Sequence, residues 1–244
     1  MIQVEPRGEV AIIRLDRPAK KNAQTPEMLA SLAKAVETAI SARAIVLSGV
    51  GDTFCAGFDL SMAQADEAVL ERLLRNLSRA ARALREAPCP VVASAHGAAI
   101  AGGCALLCGC DFVVTHEGAK IGYPAVRLGI SPAVSAPHLC AQTGFGPART
   151  LQLDPGLISG REARRIGLAS DLAATGPECE PRAIVLARSF AVKPRHALGY
   201  TRRWLNEIDG SLDESSHEAA MRSSLACVGT AELRERLAAA WRKV

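Results

Sequence analysis

A β-branched pair, Val91-Val92, leads through His96 and Gly97 to Gly102-Gly103, and an apolar run with helical character, Cys104 to Cys110, follows directly. That order reads as strand, tight loop, helix start. The first N–H groups of a helix have no partner inside it, and the positive end of its peptide dipole lies there. Glycines at that point let a ligand oxygen come close without meeting a Cβ. The Gly102-Gly103 junction is therefore a candidate anion or oxyanion site. A plain buried strand and helix, in which glycine only permits close packing, is the competing reading. Side chains able to move a proton or donate a hydrogen bond in this part of the chain are His96, Tyr123, Ser131, Ser135 and His138, whereas His116, His196 and His217 read as surface or packing residues.

The flanking sequence supplies a frame for these residues. Glu9 to Asp16 (EVAIIRLD) is apolar and β-branched and predicts a buried strand, with an edge strand expected at Ile2 to Glu5. After the basic turn Lys20-Lys21-Asn22, the run Thr25-Pro26-Glu27 has the layout of a helix start: an N-cap hydroxyl, proline at the first position and an acid in the first turn. That helix is expected to reach about Ile40. Arg43 to Ser48 predicts the next strand, Phe54 to Leu60 (FCAGFDL) a glycine-bearing loop, and Ala65 to Ala87 an amphipathic helix with leucines at 70, 73, 74, 77 and 84. Asp111 to His116 and Ala119 to Tyr123 read as further strands. Alternation of strand and helix implies parallel pairing with right-handed crossovers. From Gly146 the pattern turns helical: Pro147 to Leu153, Ser159 to Ile166, Arg182 to Phe190, Arg195 to Ile208, Ser215 to Cys227 and Ala231 to Lys243.

The 244 residues, 49% hydrophobic and 22% charged, fit a soluble globular protein with a substantial core. A formal charge of +4, spread along the chain without a lysine- or arginine-only block, does not imply nucleic acid. The N-terminus MIQVEPRGEV lacks the basic-then-apolar layout of a signal peptide, so a cytoplasmic location is expected. Val91 to Val114 has the length of a membrane span, but its glycines and alanines make it weakly hydrophobic, and no membrane association is expected. Eight cysteines show no paired CxxC hairpins; Cys104 and Cys108 sit one helical turn apart without histidine or carboxylate partners at ligand spacing, so no metal is expected and the thiols read as reduced core residues.

Five strings, taken together and in this order, resemble the crotonase (enoyl-CoA hydratase/isomerase) superfamily over nearly the whole chain: RPAKKNA at Arg17 to Ala23, FCAGFDL at Phe54 to Leu60, HGAAIAGGC at His96 to Cys104, YPAVRLGISPA at Tyr123 to Ala133, and ISGREARRIGLAS at Ile158 to Ser170. The resemblance implies an α/β fold of repeated ββα units with two near-perpendicular sheets, a core over 1–190 and a helical C-terminal region over 191–244 that makes a homotrimer or hexamer. It implies an acyl-CoA thioester as substrate, with coenzyme A as part of that substrate and no separate cofactor. The backbone N–H groups of Phe58 and Gly102 would hold the thioester oxygen, with Ala56, Gly57, Gly103, Ala105, Ala125 and Ser131 around the substrate. Lys20 and Lys21 would meet the nucleotide phosphates.

The same alignment of motifs exposes departures. Hydratases of the family carry two glutamates, and the corresponding positions here are Ala105 and Ala125; a third carboxylate position, used by some isomerases and dehalogenases, is Ala133. Adding water across a double bond needs a base and an acid, each contributing about 10² to 10⁴ in rate, and alanine is neither. Simple hydration is therefore not expected. Tyr123 and His96 are the candidate substitutes, His96 also as a brace for its loop. Two other readings stand beside an acyl-CoA enzyme of altered chemistry: a catalytically silent acyl-CoA-binding protein, and a decarboxylase of a carboxyacyl-CoA, whose enolate forms without any base.

Overall fold

The structure, a computed structural model, describes residues 1–61 and 66–241. The chain begins with β1 (Ile2–Arg7), β2 (Val10–Leu15), α1 (Pro26–Thr38), β3 (Ala44–Gly49), α2 (Glu67–Glu86), β4 (Val91–Ala95), β5 (Ala98–Ile100), α3 (Gly102–Cys108), β6 (Phe112–His116) and β7 (Lys120–Gly122). It continues through α4 (Ala136–Thr143), α5 (Phe145–Leu153), β8 (Leu157–Ser159), α6 (Gly160–Arg165), β9 (Asp171–Ala173), α7 (Cys179–Ala191), α8 (Arg195–Ile208), α9 (Glu214–Leu225) and α10 (Ala231–Trp241). Short 3-10 turns occupy Pro124–Leu128 and Pro132–Ser135. The expected start of α2 at Ala65 lies outside the described residues.

One sheet has the order β1-β2-β3-β4-β6-β9, and a small second sheet has the order β5-β7-β8. In the large sheet only the edge strand β1 runs antiparallel to its neighbour; β2, β3, β4, β6 and β9 pair in parallel. Its inner strands are buried on both faces, which is why β2 and β3 read as unbroken apolar runs rather than as alternation. Ile13, Leu47, Ala93 and Val113 face the core formed with α1, α2 and α3. Val10, Ile12, Val46, Val92 and Val114 face the other way, against Ala183, Ala187 and Phe190 of α7.

The expected helix start at Thr25 is made as anticipated: the Thr25 hydroxyl accepts the Met28 N–H at 3.2 Å, with Pro26 in the first turn. Ser159 caps α6 in the same manner, accepting from Glu162 N at 3.1 Å. Between the expected strand at Val91-Val92 and helix α3 the chain inserts β5, so the anticipated tight loop is two turns around a three-residue strand.

The helical C-terminal third divides its apolar residues between two uses. Leu233 and Leu237 of α10 are buried in the main core, and Leu225 packs against it. Tyr200, Trp204, Leu205 and Ile208 on α8 are 66%, 60%, 51% and 61% exposed and lie on one face of that helix. The side chain of Trp241 lies outside the described residues. The opposite face of α8 is held by charge: Arg202 Nε donates to both Asp111 oxygens at 2.8 Å, its remaining nitrogens donate to the Leu84 and Ala87 carbonyls, and Asp111 also accepts the Val91 N–H at 2.8 Å. Removing one partner of a buried, fully bonded pair strands the other, at about 3 to 5 kcal/mol. Arg202→Met is expected to lower stability by that order in a denaturant titration.

A second buried polar contact joins α4 to α9. The rings of His138 and His217 lie 4.8 Å apart, both buried, and neither ring nitrogen of His138 has a partner among the described residues. Burial first, then His217 of α9 and Arg85 and Arg82 of α2, hold the His138 imidazole well below its usual range. The folded chain keeps His138 neutral, while the unfolded chain binds a proton below about 6.5. Stability is thus fully present above that pH and falls as the pH drops through it, by at most about 1.4 kcal/mol per pH unit for this proton. Melting curves between pH 8 and 5 are expected to show a shallower acid slope for His138→Phe than for the parent chain.

Candidate active site

The loop Phe54 to Leu60 is locked between two pieces of backbone. On one side Cys55 N donates to Ala98 O and Ile100 N donates to Cys55 O, each at 3.0 Å, a parallel bridge to β5. On the other, Gln24 N donates to Gly57 O at 2.7 Å and Asp59 N donates to Gln24 O at 2.8 Å, a parallel bridge centred on Phe58. In such a bridge the bonds use the residues flanking Phe58, so its own N–H points away from Gln24. Gly57 makes the turn possible with φ +94°, and a Cβ there would stand 3.0 Å from the Ile100 carbonyl.

The second donor comes from the start of α3. Ala101 N donates to Gly122 O at 2.8 Å, and Ala101 itself takes φ +47°, a left-handed value that costs a non-glycine residue free energy. The chain leaves β5 and enters the helix within that one residue, so Gly102 N is the first N–H of α3. Among the described residues neither Phe58 N nor Gly102 N donates a hydrogen bond. A Cβ on Gly102 would lie 2.1 Å from Gln24 Oε1 and 3.0 Å from Phe58 Cε1, so any side chain here requires the Gln24 amide to move.

Phe58 and Gly102 line one cavity of about 150 Å³ together with Ala56, Gly57, Ala105, Tyr123, Ala125 and Ser131. With Ser135, the structure thus gathers nine of the residues singled out in the sequence into one lining. Gly103 stands behind that lining, packed so tightly on Cys55 that a Cβ would fall 2.7 Å from its carbonyl oxygen. Lys20 and Lys21 are exposed on the turn next to the loop, which they reach through the 3.0 Å bond from Ala56 N to Lys21 O. Leu74, Leu77 and Val134 complete the apolar wall; the sequence marks the two leucines only as part of a helix's buried stripe. Gln24, fully buried with no side-chain partner among the described residues, is a neighbour of Gly102 that no sequence motif announces.

The Tyr123 hydroxyl lies 3.5 Å from Cys108 Sγ, and burial pushes this phenol well above its usual range, so it stays protonated. Ser131 Oγ accepts the Ala133 N–H, while Ser135 Oγ donates to Pro132 O and accepts from Gln152. His96 is placed otherwise than its motif suggests. Its side chain lines a different groove, with Arg14, His116 and Glu180, on the α7 side of the large sheet. Strand alternation explains this, because Val92, Ser94 and His96 all point to the α7 face. Only its backbone serves the loop, His96 O accepting Phe54 N at 3.0 Å. No group of three or more His, Cys, Asp or Glu among the described residues is arranged to hold a metal ion.

Comparison with known proteins decides the family. The sequence model described as enoyl-CoA hydratase/isomerase matches residues 5–222. A relative from Thermus thermophilus is 33% identical over 250 residues, covering 100% of this chain and 98% of its own. The chain belongs to the enoyl-CoA hydratase/isomerase family. A crotonyl-CoA hydratase from Syntrophomonas wolfei is 34% identical over 176 residues, 69% of this chain and 67% of its own. Among solved structures, an enoyl-CoA hydratase/isomerase from Mycobacterium paratuberculosis superimposes with TM-score 0.88 at 26% identity over 97% of both chains. The crotonase fold expected from the motifs is therefore present, with its helical tail. No helix among the described residues is long and apolar enough to cross a membrane.

The two free N–H groups give a direct test of this family member. Gly102→Pro removes one donor at the first helical position, where the N–H makes no bond within the helix, and is compared with Gly102→Ala, which meets Gln24 through the same Cβ but keeps the N–H. Affinity for an enolate-mimicking CoA analogue is expected to fall by roughly 10² to 10³, with a much smaller change for free CoA, by calorimetry. Equal loss for both ligands would remove Gly102 from the oxyanion role.

Proposed function

We propose that the protein binds an acyl-CoA thioester with its carbonyl oxygen between the N–H groups of Phe58 and Gly102 and stabilises the enolate that forms from it. What carries this reading is the pair of unpartnered backbone donors opening on one apolar cavity. As the thioester becomes an enolate, negative charge collects on that oxygen. Fixed donors in a water-poor site are worth roughly 3 to 4 kcal/mol there. Lys20 and Lys21, exposed beside the loop, are the cations we assign to the CoA phosphates. Coenzyme A enters only as part of the substrate, and no further cofactor is invoked.

Hydration is not the chemistry this lining favours. Ala105 and Ala125, the positions that the motif resemblance assigns to the hydratases' glutamates, stand in the cavity wall, and Tyr123 is the one titratable side chain among the described lining residues. A phenol held protonated can donate a proton to the α-carbon of an enolate but is a poor base for water. Crotonyl-CoA hydration is expected to be slow or absent in the natural protein and to gain at least about 10²-fold in Ala105→Glu/Ala125→Glu, by loss of enoyl absorbance. Hydration by the natural protein at an ordinary enzymatic rate would overturn this.

A second reading draws on the same lining in one respect, since none of its described side chains is acidic, while the absence of a Lys, Arg or His there to hold the substrate carboxylate weighs against it. Loss of CO₂ from a β-carboxy thioester leaves the bonding electron pair as the enolate and needs no base; Tyr123 or water then supplies the proton. Acidic neighbours would repel such a substrate, and apolar walls favour the neutral product. CO₂ release from malonyl- or methylmalonyl-CoA tests it. No release and no other turnover, with tight thioester binding, would leave a silent acyl-CoA-binding protein. The exposed face of α8, with Tyr200, Trp204, Leu205 and Ile208, supports assembly as a trimer or hexamer. Light scattering at micromolar concentration is expected to give at least three times the mass of one chain.

A further inference from the structure

The cavity is small and its walls are hydrocarbon. Leu74 and Leu77 project from α2, and Leu128, Ile130 and Val134 come from the segment after β7, walling a partly open cavity of about 150 Å³. An apolar space of about 150 Å³ in a protein interior accepts a benzene-sized molecule, or about six carbons. Its polar groups are already engaged. Ser131 Oγ takes the Ala133 N–H, Ser135 Oγ is bonded to Pro132 O and Gln152, and the Tyr123 hydroxyl meets Cys108 Sγ. Among the described lining residues there is no Lys, Arg or His to meet a carboxylate at the far end of an acyl chain. Burying such a charge without a partner is strongly unfavourable.

The wall is also firmly held. Leu74 and Leu77 are 1% and 3% exposed and belong to the main core. Val134 N donates to Ser224 Oγ at 2.8 Å, and that hydroxyl donates to Ser131 O at 3.0 Å, so α9 fastens the 131–134 wall at both ends. Enlarging the cavity for a long chain would break these bonds or open the core. Ala105, 1% exposed, and Ala125, 8% exposed, line the same cavity with small side chains.

We propose that this site filters acyl groups by size and charge, taking short hydrocarbon chains of about four to six carbons with no charge at the far end, and that Leu77 and Val134 set the limit. The proposal rests on the thioester reading given above. Calorimetry with free CoA and with acetyl-, butanoyl-, hexanoyl-, octanoyl-, dodecanoyl- and glutaryl-CoA tests it on the whole protein. Affinity is expected to rise by about fourfold per methylene up to hexanoyl and then to stop rising or fall, with glutaryl-CoA near free CoA. In Val134→Ala and Leu77→Ala, each checked for folding by its melting transition, the break is expected to move to octanoyl. Dodecanoyl-CoA binding about tenfold tighter than hexanoyl-CoA, or glutaryl-CoA matching hexanoyl-CoA, would overturn the filter while leaving the thioester site standing. A break unmoved in both folded variants would remove Leu77 and Val134 from the role. No thioester binding more tightly than free CoA would instead sink the thioester reading itself.

Discussion

Two peptide N–H groups without partners are the constraint around which this protein is arranged. A backbone donor left unpaired away from water costs free energy comparable to a lost hydrogen bond. The chain therefore has to prevent Phe58 and Gly102 from finding partners of their own. It does so by saturating everything beside them: Gly57 O and Asp59 N are taken by Gln24, Cys55 by β5, and Ala101 N by Gly122 O. The parallel geometry of the bridge at Phe58 and the single left-handed residue at Ala101 are two solutions to one problem, that of leaving a donor free in a rigid place. The large sheet, α2 and α3 supply the rigidity, and they are where most of the buried apolar surface lies.

This explains what could and could not be read from the sequence. The parallel core was legible because buried strands and amphipathic helices alternate at their own periods, and because Thr25 and Ser159 are helix caps with the expected partners. β5, β8 and β9 were not legible. Each is a three-residue segment whose hydrogen bonds are completed by a neighbouring strand edge, a contact that its own residues do not announce. Helix α4 was missed for a related reason: Pro137 sits inside it, and prolines in its approach read as loop when the 3-10 turns they start cannot be seen.

At the site, glycine chemistry was the informative signal and side-chain chemistry the misleading one. Gly57 and Gly102 are favoured as glycine by a positive φ or by an atom that a Cβ would strike, constraints that leave a mark in the residue type itself. His96 carries the side chain with the most obvious proton chemistry in its motif, yet strand alternation turns it to the α7 face, where burial lowers the affinity of its ring for a proton. Leu77 and Val134 gave no hint that they line a cavity, because a residue on a cavity wall has the same composition and period as one that fills a core.

Gln24 connects these observations. Its backbone forms the bridge that frees Phe58 N, and its side-chain amide, fully buried and unpartnered among the described residues, fills the space where Gly102 would otherwise carry a Cβ. The opening behind Gly102 is thus closed by one residue from the far side of the loop, and the two donors share a wall. Gln24 therefore touches both donor positions, its backbone bridged at Phe58 and its amide packed against Gly102.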